Sequence, residues 1–328
     1  MADRMLPHDP LWPRAGSWPA PTPERGIDLA LVGVPTSRTS LSVTNAHETP
    51  AAIRDALRRY SGHAADPGSP GRRGFEAELV LDEALVVVDA GDVADPGSGL
   101  VDTEPGERAA AERIAELAAR SRLVVALGGD NACTVPAALG VARAAGGIER
   151  AGLITVDAHH DLRDGRSNGS PVRRLVEAGL DPRRIVQIGI ADFANSRAYR
   201  KRAREWGITV IHRDELHERP IAEIVAEALE AAGAAGGPIH VDLDVDVCDR
   251  SVAPGCPASI PGGLAAHELR RIARALAADP RVRGLDIAEV DATADAPDGR
   301  TVRLAALCVL EAAAGLASRV PAAAPLGG

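Results

Sequence analysis

The sequence predicts an α/β fold, a single three-layer domain with a mostly parallel eight-stranded sheet. Three observations carry that expectation. Short apolar runs of strand length alternate with longer stretches in which Ala, Leu and Ile recur every three or four residues, the pattern of a parallel sheet with crossover helices. The 328 residues are 45 % apolar, enough to bury a large core. Neither an internal repeat nor an interdomain linker interrupts the chain.

The strands are read in order as IDLALVGV (27–34), ALVVVDAG (84–91), SRLVVALGG (121–129), AGLITVDAHHD (151–161), RIVQIGI (184–190), ITVI (208–211), PIHVDLDVD (238–246) and VRGLDIAEV (282–290). Between them lie helix patterns such as PAAIRDALRRY (50–60), GERAAAERIAELAARS (106–121), RPIAEIVAEALEAAG (219–233) and AAHELRRIARALAAD (265–279). Each sets an apolar stripe against a charged face. Residues 62–76 and 92–107 read as long loops. Prolines interrupt residues 1–26 throughout, which makes them an extended arm. The folded domain spans 27–320, and PAAAPLGG (321–328) reads as a flexible tail.

Composition excludes several function classes. Aromatics are only 2 %, so the core must be aliphatic. Lys and Arg number 37 against 46 Asp and Glu, a net charge of −9, and no basic stripe offers nucleic acid a field. No run of about 18 apolar residues exists to span a membrane, and the arm lacks the apolar centre of a signal peptide. Cys133, Cys248, Cys256 and Cys308 fit neither a zinc ribbon nor a CxxC motif, and read as reduced thiols of a cytoplasmic protein.

Four strands end in acidic or polar clusters: LGGDN, VDAHHD, HVDLDVD and LDIAEVD. In open parallel sheets ligands gather beyond the carboxyl ends of the strands. Strand alternation places Asp157, His159 and Asp161 on one side, and Asp242, Asp244 and Asp246 on one face of a later strand. Carboxylates converging in a buried setting repel one another unless a cation joins them. An EF-hand is excluded, because the sixth position is Val247 counted from Asp242, or Asp249 counted from Asp244, where that loop needs glycine. Carboxylates with one or two imidazoles suit a two-metal hydrolytic site, which makes hydroxide available near neutral pH.

In these residues the chain resembles the ureohydrolases: arginase, agmatinase and formimidoylglutamase. The likeness rests on GGDN (128–131), DAHHD (157–161), DVDVCD (244–249) and GLDIAEVD (284–291), in that order, and covers about residues 27 to 316. It implies an arginase-like fold, two Mn²⁺ ions, and an assembly of several identical subunits. It implies metal ligands at Asp157, His159, Asp161, Asp244 and Asp246, with Asp242 beside the cluster. Glu289 matches the carboxylate that pairs with the amidine or guanidinium of the substrate. Where the family usually has GGDH, this chain has Asn131. An amide oxygen is a weaker donor than imidazole, so the ion near Asn131 is expected to be held weakly.

Among these enzymes the segment LRDGRSNGSPVRRL (162–175) is most similar to formimidoylglutamases, with Asn168 where others carry a proton-shuttling His. The segment after 190 offers Ala194, Asn195 and Arg197 where arginases place acids. An anionic substrate tail suits planar cationic donors, and Arg163, Arg173 and Arg197 are the candidates, with Asn168 and Asn195 as further polar contacts. The resemblance therefore implies hydrolysis of N-formimidoyl-L-glutamate to L-glutamate and formamide, as in histidine degradation. Glu289 and Asp161 serve as the catalytic carboxylates, with Asp161 alternatively a pure ligand.

The competing readings are hydrolysis of another guanidino compound with release of urea, or a binding or regulatory protein that lost catalysis with the change to Asn131. A related deacetylase would need a tandem His pair near the GG position, and His159-His160 lies in the wrong strand. Cys133 has no His partner and reads as a packed thiol. His47, His212, His240 and His267 have no ligand spacing.

Overall fold

The computed structural model describes residues 9–65, 78–93 and 101–319. The first elements are β1 (Ile27–Val34), α1 (Thr49–Leu57), β2 (His63–Ala65), β3 (Glu78–Val80), α2 (Leu81–Ala84), β4 (Val87–Asp92), α3 (Glu104–Ala118), β5 (Ser121–Gly128) and α4 (Thr134–Ala144). There follow β6 (Gly152–Val156), α5 (Pro171–Glu177), β7 (Ile185–Ile190), α6 (Arg197–Trp206), β8 (Thr209–His212), α7 (Glu215–Glu218) and α8 (Ile221–Ala232). The last are β9 (Ile239–Asp244), α9 (Ala266–Ala277), β10 (Val282–Ala288) and α10 (Arg300–Ala317).

Eight strands form one sheet in the order β4-β1-β5-β10-β9-β6-β7-β8, and every pairing in it is parallel. The eight expected strands are therefore all present. Alternation along the central strands divides the core. Leu123, Val125 and Leu127 of β5 face α1, α8, α9 and α10, together with Val241 and Leu243 of β9. Val124 and Ala126 face α3 and α4, and Leu153 and Ile185 pack against α4 and α5. These are the three layers. Fully burying one leucine such as Leu127 contributes about 1.5–3 kcal/mol, and these aliphatic side chains stand in for the missing aromatics.

Local chemistry sets the helix boundaries. Thr103 caps α3 by accepting from the Gly106 N–H at 3.0 Å, with Pro105 in the first turn, where no donor is lost. Ser196 caps α6 through the Tyr199 N–H at 3.2 Å, and Gly207, at φ +77°, ends it in the left-handed conformation. Helix α4, apolar except for Thr134 and Arg143, shows no amphipathic pattern, because most of its residues on both faces are buried.

Two of the expected loops contain regular structure. His63–Ala65 pairs antiparallel with Glu78–Val80, so residues 62–76 begin with one strand of a hairpin; residues 66–77 lie outside the described residues. Helix α3 starts at Glu104 and takes the end of the segment 92–107, of which 94–100 are likewise outside. The tail 321–328 and residues 1–8 are also outside the described residues. The described part of the arm lies on the body: Trp18 Nε1 donates to Asp82 at 3.0 Å, and Pro19 O accepts from the Asp89 N–H. No described helix is long and apolar enough to cross a membrane.

The strands whose ends carry the acid clusters are β5, β10, β9 and β6, and they are four neighbours at the centre of the sheet. Being parallel, they deliver all four ends to one edge. Residues up to 158 positions apart in the chain thus meet, as Asn131 and Glu289 do.

Candidate active site

Each cluster begins where its strand stops. β6 ends at Val156 and β9 at Asp244, so alternation does not gather the acids as the sequence reading expected. Turns do. Asp157 Oδ1 accepts from the His159 N–H at 2.7 Å, and Asp244 Oδ1 accepts from the Asp246 N–H at 2.8 Å. Asp161 and Glu289 both stand in the left-handed region, at φ 52° and 62°, a conformation that costs a non-glycine residue about 1–3 kcal/mol and often marks functional sites. The double glycine of GGDN has a steric cause: a Cβ on Gly129 would lie 2.0 Å from Thr36 O, and one on Gly128 would lie 2.4 Å from Cys133 Sγ. The close fit lets Gly129 O accept from the Glu289 N–H at 2.9 Å.

Asp157, His159 and Asp246 bring their ligand atoms within 4.8 Å of one another. His159 Nδ1 lies 3.1 Å from Asp246 and 3.4 Å from Asp157. Although burial opposes its charge, these carboxylates push the His159 imidazole up to about 12. Asp161 and Asp244 are held well above the usual carboxylate range, first by burial and then by neighbouring acids. Asp157 Oδ2 and Asp246 Oδ1 are buried with no hydrogen-bond partner. Orphaned carboxylate oxygens pointing into an acidic cluster fit a divalent cation.

Asp161, Asp244, Asp246, His159 and Glu289 line one cleft of about 560 Å³. Glu289 Oε1 accepts from the Asn131 backbone N–H at 2.8 Å and from Asn168 Nδ2 at 2.6 Å. Burial first, then Asp130 and Asp246, push its carboxyl up to about 8. Asn168 Oδ1 accepts from the Leu41 N–H at 3.0 Å, which ties the loop after β1 to the same carboxylate. Asn131 donates from Nδ2 to Asp161 at 2.6 Å, while its Oδ1 accepts from Thr134 at 2.7 Å. As assigned by this network, the amide presents its N–H rather than its oxygen to the acids.

The remaining expected residues divide. Arg163 lines the cleft and lies across Gly169, where a Cβ would meet its Cδ at 2.7 Å. Asn195 also lines the cleft, but its side chain is committed to backbone, accepting from the His160 N–H at 2.9 Å and donating to Ala158 O at 2.8 Å. Arg173 does not reach the cleft: its guanidinium binds Arg163 O at 2.6 Å, Gly165 O and Glu177, bracing the loop. Arg197 lines a different groove on the far side of α6. Asp242 sits opposite Asp286 in the β9/β10 register, buried outside the cleft, and Asp286 in turn meets His240 at 2.6 Å.

Sequence reasoning missed Arg202. It projects into the cleft beside Tyr199, bound to Leu162 O at 2.6 Å and to Asp164 at 2.8 Å. The signal available was the three-residue spacing of Tyr199 and Arg202, which puts both on one face of a helix.

Residues 27–315 match the family model for the arginase family. The chain belongs to that family. It is 35 % identical over 288 residues to a formimidoylglutamase of Halalkalibacterium halodurans, covering 86 % of each chain. It is 30 % identical to a guanidinopropionase of Pseudomonas aeruginosa, covering 89 % of each. The crystal structure of formimidoylglutamase from Bacillus subtilis superimposes with a TM-score of 0.83 at 29 % identity, over 97 % of this chain and 96 % of that one. The arginase-family fold thus accounts for the eight-stranded parallel sheet.

Proposed function

We propose that this arginase-family chain hydrolyses N-formimidoyl-L-glutamate to L-glutamate and formamide. One observation carries the reading: the cleft is lined by buried carboxylates together with two guanidiniums that are more exposed. Glu289 lies among Asp161, Asp244 and Asp246, whereas Arg163 and Arg202 belong to the same cleft. That polarity complements a molecule cationic at its amidine end and anionic at its other end, and opposes agmatine, which is cationic at both ends.

Asp157, His159, Asp161, Asp244 and Asp246 would hold the metal. Mn²⁺ is the proposed ion, on the chemistry of hard carboxylate oxygens with one imidazole. When bound, divalent ions supply Lewis acidity and a nucleophile drawn from water at neutral pH. Glu289, fixed by its two donors, accepts from the amidine N–H groups and sets the orientation of the carbon. Asn168 holds Glu289 and closes the loop after β1 over it. Arg163 and Arg202 bind the glutamate carboxylates, Arg202 exchanging Asp164 for the substrate. Asp161 carries a proton at its carboxyl oxygen to the leaving amine. The Asn131 position lowers the affinity of the ion nearest to it. A cytoplasmic homo-oligomer is part of the same proposal, supported by the family and by four buried thiols without a disulfide among the described residues.

The test is turnover of formimidoyl-glutamate, 3-guanidinopropionate and agmatine by Mn²⁺-loaded protein, with formamide and urea measured separately. Formamide from the first substrate at the highest kcat/KM supports the reading. Urea from a guanidino acid at higher kcat/KM overturns it.

A further inference from the structure

Helix α6 separates two clefts. Its face carrying Ala198, Tyr199 and Arg202 lines the substrate cleft. Its other stripe, Arg197, Arg200, Lys201 and Arg204, lines a groove of about 720 Å³ against the edge strand β8. The spacing of i, i+3, i+4 and i+7 stacks these four cations along one line. No aspartate or glutamate lines this groove. Lys201 has an exposed partner in Glu205 at 3.6 Å, while Arg197, Arg200 and Arg204 have no ion pair among the described residues. Two acids, Asp192 and Asp214, lie in an adjoining hollow that already contains Arg213 beside Arg200.

This concentration is not a consequence of overall charge, because the chain carries −9. Like charges at i, i+3 and i+4 destabilise a helix, and a counter-anion would remove that cost. Three arginines with free planar forks match the oxygen geometry of phosphate. The volume lies within the range of small-molecule sites, roughly 300–1,000 Å³, more than a lone ion needs. The back wall is His160, whose Nδ1 is held by Gln187 at 2.7 Å, and His212 closes the strand side. His160 directly follows His159, so the groove abuts the metal-binding turn from behind.

We propose that this groove is a second binding site, distinct from the substrate cleft, for a multivalent oxyanion: free phosphate or a phosphorylated small molecule. The experiment is isothermal titration of inorganic phosphate and of glycerol 2-phosphate into full-length, metal-loaded, desalted protein, with ionic strength held by sodium chloride. Saturable binding is expected. It should weaken roughly tenfold or more in R200Q/R204Q and by a smaller factor in R200K/R204K, which keeps the charge but loses the planar fork. Turnover of formimidoyl-glutamate by R200Q/R204Q should stay within about twofold of the parent, and L-glutamate should not displace the anion. Tighter binding of glycerol 2-phosphate identifies a phosphorylated molecule as the occupant, and equal binding identifies phosphate itself.

Several results overturn the proposal. They are no saturation up to tens of millimolar, on the order of the weakest specific binding, equal binding by R200Q/R204Q, or displacement by L-glutamate. A changed sedimentation coefficient of R200Q/R204Q would assign the stripe instead to contact with another copy of the chain. Because the readout is anion binding, the outcome stands whether or not the assigned substrate proves correct.

Discussion

Replacing Glu289 by glutamine exchanges one oxygen for an NH₂ and leaves the side-chain volume almost unchanged. Oε1 would go on accepting from the Asn131 N–H and from Asn168 Nδ2, now at 2.8 and 2.6 Å, so the side chain stays in place. What changes is the group offered to the cleft, from an anionic acceptor to a neutral donor facing the donor N–H groups of the amidine. A hydrogen bond to a charged group contributes about 1.5–3 kcal/mol, and a buried donor left unpaired costs about 1–3 kcal/mol. Together these imply a fall in kcat/KM of roughly 10² to 10⁴. Formamide release gives the rate, while elemental analysis and thermal unfolding check that metal and fold survive. Stability should not suffer, because burial and neighbouring acids already disfavour the Glu289 carboxylate, whose pKa is pushed up to about 8. Activity within about threefold of the parent would refute the role. So would a parallel loss of bound metal, which would make Glu289 a support of the ions rather than a contact of the substrate.

The other expectations concern the cations, the metal and pH. Arg202→Met should raise KM for formimidoyl-glutamate by roughly 10- to 100-fold, the value of one charge-assisted contact, with kcat changed far less; a kcat-only effect would point to the loop at Leu162 and Asp164 instead. After dialysis the parent should retain fewer than two Mn²⁺ per chain by elemental analysis, and Asn131→His should raise retention by supplying an imidazole. Equal retention of two ions by both proteins would contradict the assignment of Asn131. For the metal-free protein, burial and neighbouring acids raise Glu289, Asp161 and Asp244, and Asp246 with Asp157 raises His159 against burial. The folded chain therefore holds more protons than the unfolded one, and stability falls as pH rises from about 5.5 to 8. His160, lowered by burial, opposes this as one group against several. Thermal unfolding without metal should show a higher Tm at the acid end, and a Tm that climbs over that range would count against the buried acid cluster.

The sheet was legible because both periodicities are clean: apolar runs mark the strands, and three-to-four spacing marks α3, α8 and α9. The acid clusters were legible because each follows an apolar run that must stop when it reaches Asp157, Asp244 or Glu289. Spacing alone did not give the direction of side chains beyond those ends. Period two placed Asp157, His159 and Asp161 on one face, yet the strand has ended at Val156 and Asp161 is turned by a positive φ. The arginines show the same limit. Arg197 and Arg202 share α6, but five positions at about 100° each put them on different faces, one per cleft. Arg173 has Glu177 four residues on, a spacing that favours a pair along the helix, and the structure has that pair.

Chain order and spatial order diverge most at β10, and the chemistry depends on that divergence. The last strand of the sequence inserts between β5 and β9. There its end lies beside the GGDN turn on one side and the Asp244–Asp246 turn on the other. Glu289 can then accept from Asn131 and belong to the same cleft as Asp244, although neither is near it in sequence. The acids of β6 and β9 lie at the ends of paired strands, whereas the GGDN turn of β5 is joined to them only through β10, the strand that also carries Glu289. The proposed cation ligands come from the ends of β6 and β9 alone, and β10 adds the carboxylate assigned to the substrate beside them. The left-handed backbone is confined to Asp161, Glu289 and the exposed Phe193 among non-glycine described residues. Two of those three lie in the cleft, where glycine would relieve the backbone but remove a carboxylate. That choice of residue places local conformation second to the chemistry of the site.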